Sequence, residues 1–203
     1  MNPIEFQKKW LANTQKERTA SQSHFNDLCE LVNHSKPLEL DPTGEFFTFE
    51  RGASKLRGGQ GWVDVWYRNR FALEYKGPGK DLKAAYDQLA QYREDLENPP
   101  LLIVSDLDRI EVHTNFTGTV KRVHEIDLST ITEPASLRVL RAAFFDPESL
   151  KPAHTVQSVT EQASRQFSTL AGGLRERGTD PREAAHFLMQ LLALNGERAV
   201  HET

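Results

Sequence analysis

Hydrophobic positions along the chain fall first into helical spacing, then into alternation, then into helical spacing again. Residues 3–13 predict a helix, with Pro3 near its start and Ile4, Phe6, Trp10 and Leu11 as its apolar positions. A second helix follows, capped by Ser21 or Ser23, in which Phe25, Leu28, Leu31 and Val32 keep i, i+3, i+6, i+7 spacing. Pro37 and Pro42 break that pattern. The run EFFTFE (45–50) predicts a strand, and residues 52–61 a glycine-rich loop. Two strands come next, 62–67 and 71–76, joined by the charged turn Arg68-Asn69-Arg70. Beyond Gly77-Pro78-Gly79, residues 81–96 predict a helix with Leu82, Ala85, Leu89 and Tyr92 on one stripe.

Asn98-Pro99-Pro100 ends that helix. Residues 101–105 are almost continuously apolar, as suits a strand buried on both faces, and 110–114 and 119–125 alternate like flanking or edge strands. Helices are expected again at 133–145, 160–177 and 180–194. This order predicts an α/β core over residues 1–130, a central mixed sheet flanked by helices, with a helical extension over 131–203.

A length of 203 residues, 38% hydrophobic and 27% charged, fits one domain with its own core and an appendage, and excludes a disordered chain. No apolar run reaches membrane-spanning length, and the N-terminus lacks a signal core, so no membrane partner is expected. A single cysteine, Cys29, suits a reduced, cytoplasmic setting. The net charge of −4 speaks against a general nucleic-acid coat, but it is unevenly spread. Residues 51–83 hold eight basic residues (Arg51, Lys55, Arg57, Arg68, Arg70, Lys76, Lys80, Lys83) against Asp64, Glu74 and Asp81, a local +5 that leaves −9 elsewhere. A basic field around a few acids suits a phosphate-bearing substrate that meets a metal.

Alternation in FALEYK puts Ala72, Glu74 and Lys76 on one face and Phe71, Leu73 and Tyr75 on the other. In the preceding strand Trp62, Asp64 and Trp66 share a face, with Val63 and Val65 opposite. A three-residue loop over Arg68–Arg70 sets Tyr67 against Phe71 and Asp64 against Glu74; a loop one residue shorter would turn the carboxylates to different faces. Two carboxylates with a lysine beside them match phosphodiester hydrolysis. Hard oxygens bind Mg²⁺ while leaving room for water and phosphate, and an ammonium orients the water or neutralises the developing anion. The same residues also suit ordinary ion pairing on an exposed face. Gln88 and Tyr92, at i, i+4 on the next helix, can approach the strand end. The Lys55–Gln60 segment can bring glycine backbone to phosphates. Histidine spacing suggests no zinc site.

Asp64, nine residues, then Glu74-Tyr75-Lys76 resembles the PD-(D/E)XK nuclease motif, with Val63 where the motif's name has proline. Gln88-x-x-x-Tyr92 resembles the trailing motif of its RecB-like branch. The stretch GWVDVWYRNRFALEYKGPGKDLKAAYDQLAQYREDLENPPLLIVSDLDRIEVHTNFTG is similar to the N-terminal domain of type IIL (MmeI-like) bifunctional restriction-modification enzymes, and to segments fronting large DNA methyltransferases of phage-defence systems. The similarity runs from the first helix through LRVLRAAFFDPESLKP into the C-terminal helices.

The resemblance implies a restriction-endonuclease-like fold and Mg²⁺-dependent cleavage of double-stranded DNA, with Mn²⁺ as a substitute. It implies Asp64, Glu74 and the Tyr75 carbonyl as metal ligands, a catalytic role for Lys76 and a supporting one for Gln88. An acid from the first core helix is expected to join them, Glu30 first and Asp27 next. Lys55, Arg57, Arg68, Arg70, Lys80 and Tyr92 are the candidate DNA contacts. No methyltransferase signature is present, so S-adenosylmethionine enters only through further methyltransferase and target-recognition domains, in this chain or a partner. The apolar face of HFLMQLLAL suits such a partner. One site per chain implies that double-strand cutting needs two copies or two visits. Two other readings stay open: a silent DNA-binding or regulatory module, and a stand-alone structure-specific nuclease.

Overall fold

A computed structural model of the chain describes residues 1–13, 17–54, 59–77, 79–178, 180, 182–183, 186–187 and 189–190. The first helix, α1 (Pro3–Leu11), is closed by a reciprocal cap. Asn2 accepts from the Glu5 N–H at 2.9 Å, and Glu5 accepts from the Asn2 N–H at 3.0 Å, satisfying two donors that a helix start otherwise strands. Its Phe6 and Trp10 are buried, and the Trp10 indole donates to Asp27 at 2.9 Å, tying α1 to α2 (Glu17–Val32). Helix α2 begins ahead of the serine caps expected for it. A short α3 (Pro37–Leu40) occupies the break made by Pro37.

The sheet consists of β1 (Phe47–Ser54), β2 (Gln60–Tyr67), β3 (Phe71–Tyr75), β4 (Leu101–Ser105), β5 (Arg109–Thr114) and β6 (Val123–Asp127), in spatial order 1-2-3-4-5-6. All neighbours are antiparallel except β3 and β4, which run parallel across the crossover helix α4 (Leu82–Ala90). The Arg68–Arg70 turn sets Tyr67↔Phe71, Trp66↔Ala72 and Val65↔Leu73, the register expected of a three-residue loop. Strand β4 is buried along its whole length. Helices α1, α2 and α5 (Pro134–Phe145) cover one face over Phe47, Val65, Phe71, Leu73 and Tyr75, with Phe25 of α2 among them. Helix α4 covers the other over Val63, Trp66, Ala72, Leu102 and Val104. This is the α/β architecture expected, a mixed sheet flanked by helices, with a helical segment following it in the chain.

Three details differ from the sequence-based expectations. Strands β1 and β2 extend into the glycine-rich segment, because Gly52 and Gly61 serve inside the ladder, paired with Trp62 and Ala53. A Cβ on Gly61 would fall on the Tyr92 ring, so only glycine lets that buried tyrosine pack against the strand. Residues 55–58, with Lys55 and Arg57, lie outside the described residues. Helix α4 ends at Ala90, and turns carry the chain on to Asn98.

The third difference is a break in alternation. Phe47 and Phe49 pack on the α2 side, yet Ala53, of the same parity, packs on the α4 side; likewise Val65 and Val63 face opposite ways. The ladder runs Phe49↔Val65 and then Arg51↔Val63, and skips Glu50 and Asp64. Glu50 adopts a left-handed φ of 52° there. Both strands change face at this point, so Trp62, Asp64 and Trp66 do not share a side as simple alternation predicts.

The first compact unit runs Met1–Ala153, and the second His154–Thr203. Helix α5, grouped by sequence with the extension, belongs to the first unit. It buries Leu140, Ala143 and Phe144, and Phe144 stacks on Phe25. The second unit is described by α6 (Val156–Glu176), which carries Phe167, Leu170 and Leu174 at helical spacing and an exposed Glu161–Arg165 pair. Most of the helix expected over 180–194 lies outside the described residues. No described helix is long and apolar enough to cross a membrane.

Candidate active site

Strand β3 ends beside α4, and this places Glu74, Lys76 and Gln88 together. The strand's alternation turns Glu74 to the α4 face, as expected. There Glu74 Oε1 accepts from Lys76 Nζ at 2.8 Å and from Gln88 Nε2 at 3.2 Å. Gln88 Oε1 lies a longer 3.4 Å from Lys76 Nζ. Glu74 is 6% exposed, and its second oxygen, Oε2, is buried without a hydrogen-bond partner. Leaving a carboxylate oxygen in that state is costly unless something else comes to it.

Asp64 reaches the site through the break in β2. Strands β2 and β3 part after Val65↔Leu73, which frees the Tyr75 N–H, and Asp64 Oδ2 accepts it at 2.6 Å. The Asp64 carboxylate also lines a recess of about 230 Å³ with Ser21, Gln22, Phe49, Glu50 and Tyr75. In the core, the Tyr75 hydroxyl and His24 Nδ1 share a hydrogen bond of 2.7 Å.

Both carboxyls hold their protons more tightly than free ones do. Burial, and then the Asp64 charge, push Glu74 up to about 7, against the opposing pull of Lys76 and the Asp64 N–H. Burial also raises Asp64, with the Tyr75 N–H and Lys76 opposing and Glu50 adding to the rise. Two coupled carboxylates with one lysine, paired to Glu74, leave negative charge uncompensated. An oxygen-only donor set with one orphaned oxygen fits a hard divalent cation. Among the described residues, no group of three His, Cys, Asp or Glu side chains is placed to hold a metal.

The raised Glu74 value has a consequence for the metal-free chain. A carboxyl whose folded pKa exceeds its unfolded one binds its proton more tightly when folded, so stability falls as pH rises from about 4.5 through about 7. The full effect is about 3 kcal/mol. Glu74→Gln keeps the shape and removes the titration. In chelator, its melting temperature is expected to gain on that of the unmodified chain between pH 5 and pH 8; two parallel curves would contradict the burial argument.

The expected third acid is not found where the sequence reading put it. Glu30 is exposed and pairs with Lys36 at 2.7 Å. Asp27 is committed to Trp10 and Lys9. The residues of α2 that share a recess with Asp64 are Ser21 and Gln22, earlier on the helix, and the further acid lining it is Glu50. Sequence reasoning missed these because the shift at Glu50 carries no pattern of its own. Lys80 shares an open recess of about 370 Å³ with Lys76, Asp81 and Gln88. Arg68 and Arg70 lie at the far end of the hairpin, where Arg68 pairs with Glu97 at 2.9 Å. Tyr92 is 2% exposed and packs on Gly61, which leaves it no face for DNA.

No curated protein matches the chain. Among solved structures it is similar to a chain of a DrdV–DNA complex determined by electron cryomicroscopy, at 19% identity and a TM-score of 0.42. That similarity covers 86% of this chain but only 16% of the other, so the present chain spans a small part of its length. The sequence family described as "MmeI, N-terminal domain" matches residues 1–177, from α1 to the end of α6. The match takes in the whole sheet, the Asp64–Glu74 pair and most of the chain, and the chain belongs to the MmeI N-terminal domain family.

Proposed function

We propose that the chain is a Mg²⁺-dependent DNA endonuclease module, the cleavage part of a type II restriction-modification enzyme. The observation that carries this reading is Glu74 Oε2, buried and unpartnered close to Asp64, while Oε1 already holds Lys76 and Gln88. Asp64 and Glu74 would hold the ion with the Tyr75 carbonyl, and Mn²⁺ would substitute. When bound, the ion neutralises charge on the phosphate and lowers the pKa of a water in its shell. The chain's own residues arrange the rest. The Tyr75 N–H fixes the Asp64 carboxylate, and Gln88 fixes Glu74. Lys76, partly exposed, donates to the attacking water or to a phosphate oxygen. Lys80, exposed in the same recess, contacts the DNA backbone. In this reading the module works beside methyltransferase and target-recognition domains, in the same or a partner chain, and meets S-adenosylmethionine only through them.

The test is nicking of supercoiled plasmid with Mg²⁺ or Mn²⁺, paired with Mn²⁺ calorimetry. Cutting and metal binding are both expected, and both are expected to vanish in Asp64→Asn. Metal binding that survives Asp64→Asn would move the ion elsewhere. The absence of a three-acid cluster among the described residues favours a second reading, a silent DNA-binding module. DNA binding without metal binding would select it.

A further inference from the structure

Of the three tryptophans, Trp10 and Trp66 are buried, whereas Trp62 is 69% exposed. Trp62 is not loosely displayed. Its cross-strand partner is Gly52, and the place a Cβ would take there is 3.3 Å from Trp62 Cζ3 and 3.7 Å from Cε3 and Cη2. The glycine therefore gives the indole a flat seat, with one ring face against β1 and the other open. A large aromatic ring seated against a strand with one face in water offers apolar area to a flat partner.

The surroundings narrow what can lie on that ring. A recess of about 200 Å³ beside it is lined by Ser54, Gln60, Gly61 and Asp95. Asp95 accepts the Ser54 N–H at 2.8 Å, which fixes its carboxylate there. A carboxylate repels phosphate but accepts N–H groups from the edge of a base, and the Gln60 amide offers both a donor and an acceptor. An apolar face with acceptors at its rim suits a nucleobase better than a backbone. Trp62 also precedes Asp64 by two residues on β2.

We propose that Trp62 is a stacking platform for a nucleobase of the DNA strand that enters the Asp64–Glu74 site, with Asp95 and Gln60 reading its edge. The inference rests on the nuclease reading, which supplies DNA as the substrate. Bases within an intact duplex are already stacked on both sides, so the platform takes a base at a strand end, a nick or a local distortion. Stacking would hold the strand in register beside the cut phosphate, and the edge contacts would favour bases that offer an N–H to Asp95.

The ring is its own reporter, because the other two indoles are buried and long-wavelength emission comes from Trp62. The experiment titrates the full chain, in chelator, with an end-labelled single-stranded oligodeoxythymidine, following label anisotropy and tryptophan emission together. Binding is expected to quench the long-wavelength emission. Trp62→Ala is expected to weaken binding about 10-fold, and Trp62→Phe to retain most of the affinity, as stacking by one aromatic ring dictates. Binding with unchanged emission and an unaffected Trp62→Ala variant would overturn the platform and leave the nuclease reading standing. No binding of single-stranded or duplex DNA at low salt would overturn both. Emission that falls with protein concentration in the absence of DNA would place a second copy on the ring and overturn it as well.

Discussion

Lys76→Ala is expected to lower metal-dependent plasmid nicking about 1,000-fold, the upper range for removing one preorganised donor from a charge-stabilising site. Lys76 is the cation hydrogen bonded to the proposed metal-binding pair, at 2.8 Å from Glu74 Oε1, and its side chain is only partly exposed. Removing it takes away the donor proposed to face the reacting phosphate or water. It also leaves Glu74 buried with less opposing charge, and breaking a buried ion pair by one partner normally costs several kcal/mol. Here the cost is avoided near neutral pH, because Glu74 already titrates at about 7 and takes up a proton instead. The variant is therefore expected to keep its stability within about 1 kcal/mol at pH 7 and to weaken above pH 8. Urea unfolding at the two pH values, beside the nicking assay, separates a catalytic from a structural lysine. Nicking at an undiminished rate would remove Lys76 from the mechanism. Unfolding at pH 7 would make it a structural residue.

Acid is expected to destabilise the chain through His24. Its ring is fully buried among Phe6, Trp10 and Tyr75, with Nδ1 on the Tyr75 hydroxyl and Nε2 unpartnered. Burial, and then the Lys9 charge, push its pKa down from 6.5 to about 3. The unfolded chain thus takes up a proton that the folded chain refuses. Stability is intact above pH 6.5 and falls as pH drops through 6.5 toward 3, a total of about 5 kcal/mol. That is a large part of an ordinary domain's stability. Burial lowers His113 to about 4 and adds to the same trend, while Glu74 opposes it only between about 4.5 and 7. His24→Gln removes the titration at the cost of ring packing. Relative to the unmodified chain, it is expected to gain about 3 kcal/mol between pH 7 and pH 4 in urea unfolding. A constant difference across that range would mean that His24 does not carry the acid sensitivity.

The site's local parts were readable in the sequence because they depend on short-range rules. FALEYK alternates, the turn over Arg68–Arg70 sets the register from Tyr67↔Phe71 to Val65↔Leu73, and Gln88 lies on the helix that follows, beside Glu74. What stayed hidden depends on contacts between distant elements. Valine suits either face of a buried strand, so Val63 and Val65 gave no sign that β2 changes side between them. Glu50, Ser21 and Gln22 face Asp64 only because α2 crosses that shift, and an acid chosen by position on α2 alone fell instead on Glu30, which points to Lys36. Tyr92 shares Gln88's face by spacing, yet a glycine on another strand draws it inward. Alternation placed Trp62 on a face with Trp66, and only the pairing with Gly52 reveals a ring seated in the open.

The order of strands in the sheet, identical to their order along the chain, has a kinetic side. Each strand finds its partner in the next stretch of sequence, and the longest closure within the sheet is the crossover of residues 76–100. Contacts this local favour rapid, hairpin-by-hairpin growth of the sheet. During synthesis at roughly 5–20 residues per second, Asp64, Glu74, Lys76 and Gln88 all leave the ribosome within seconds of one another. Helix α5 comes about fifty residues later, and until it docks, Phe25 and Phe71 lack the Phe144 ring that packs against them. The carboxylate pair can thus form on a nascent sheet whose far face is still open, with the closing of that face left to the last helix of the first unit.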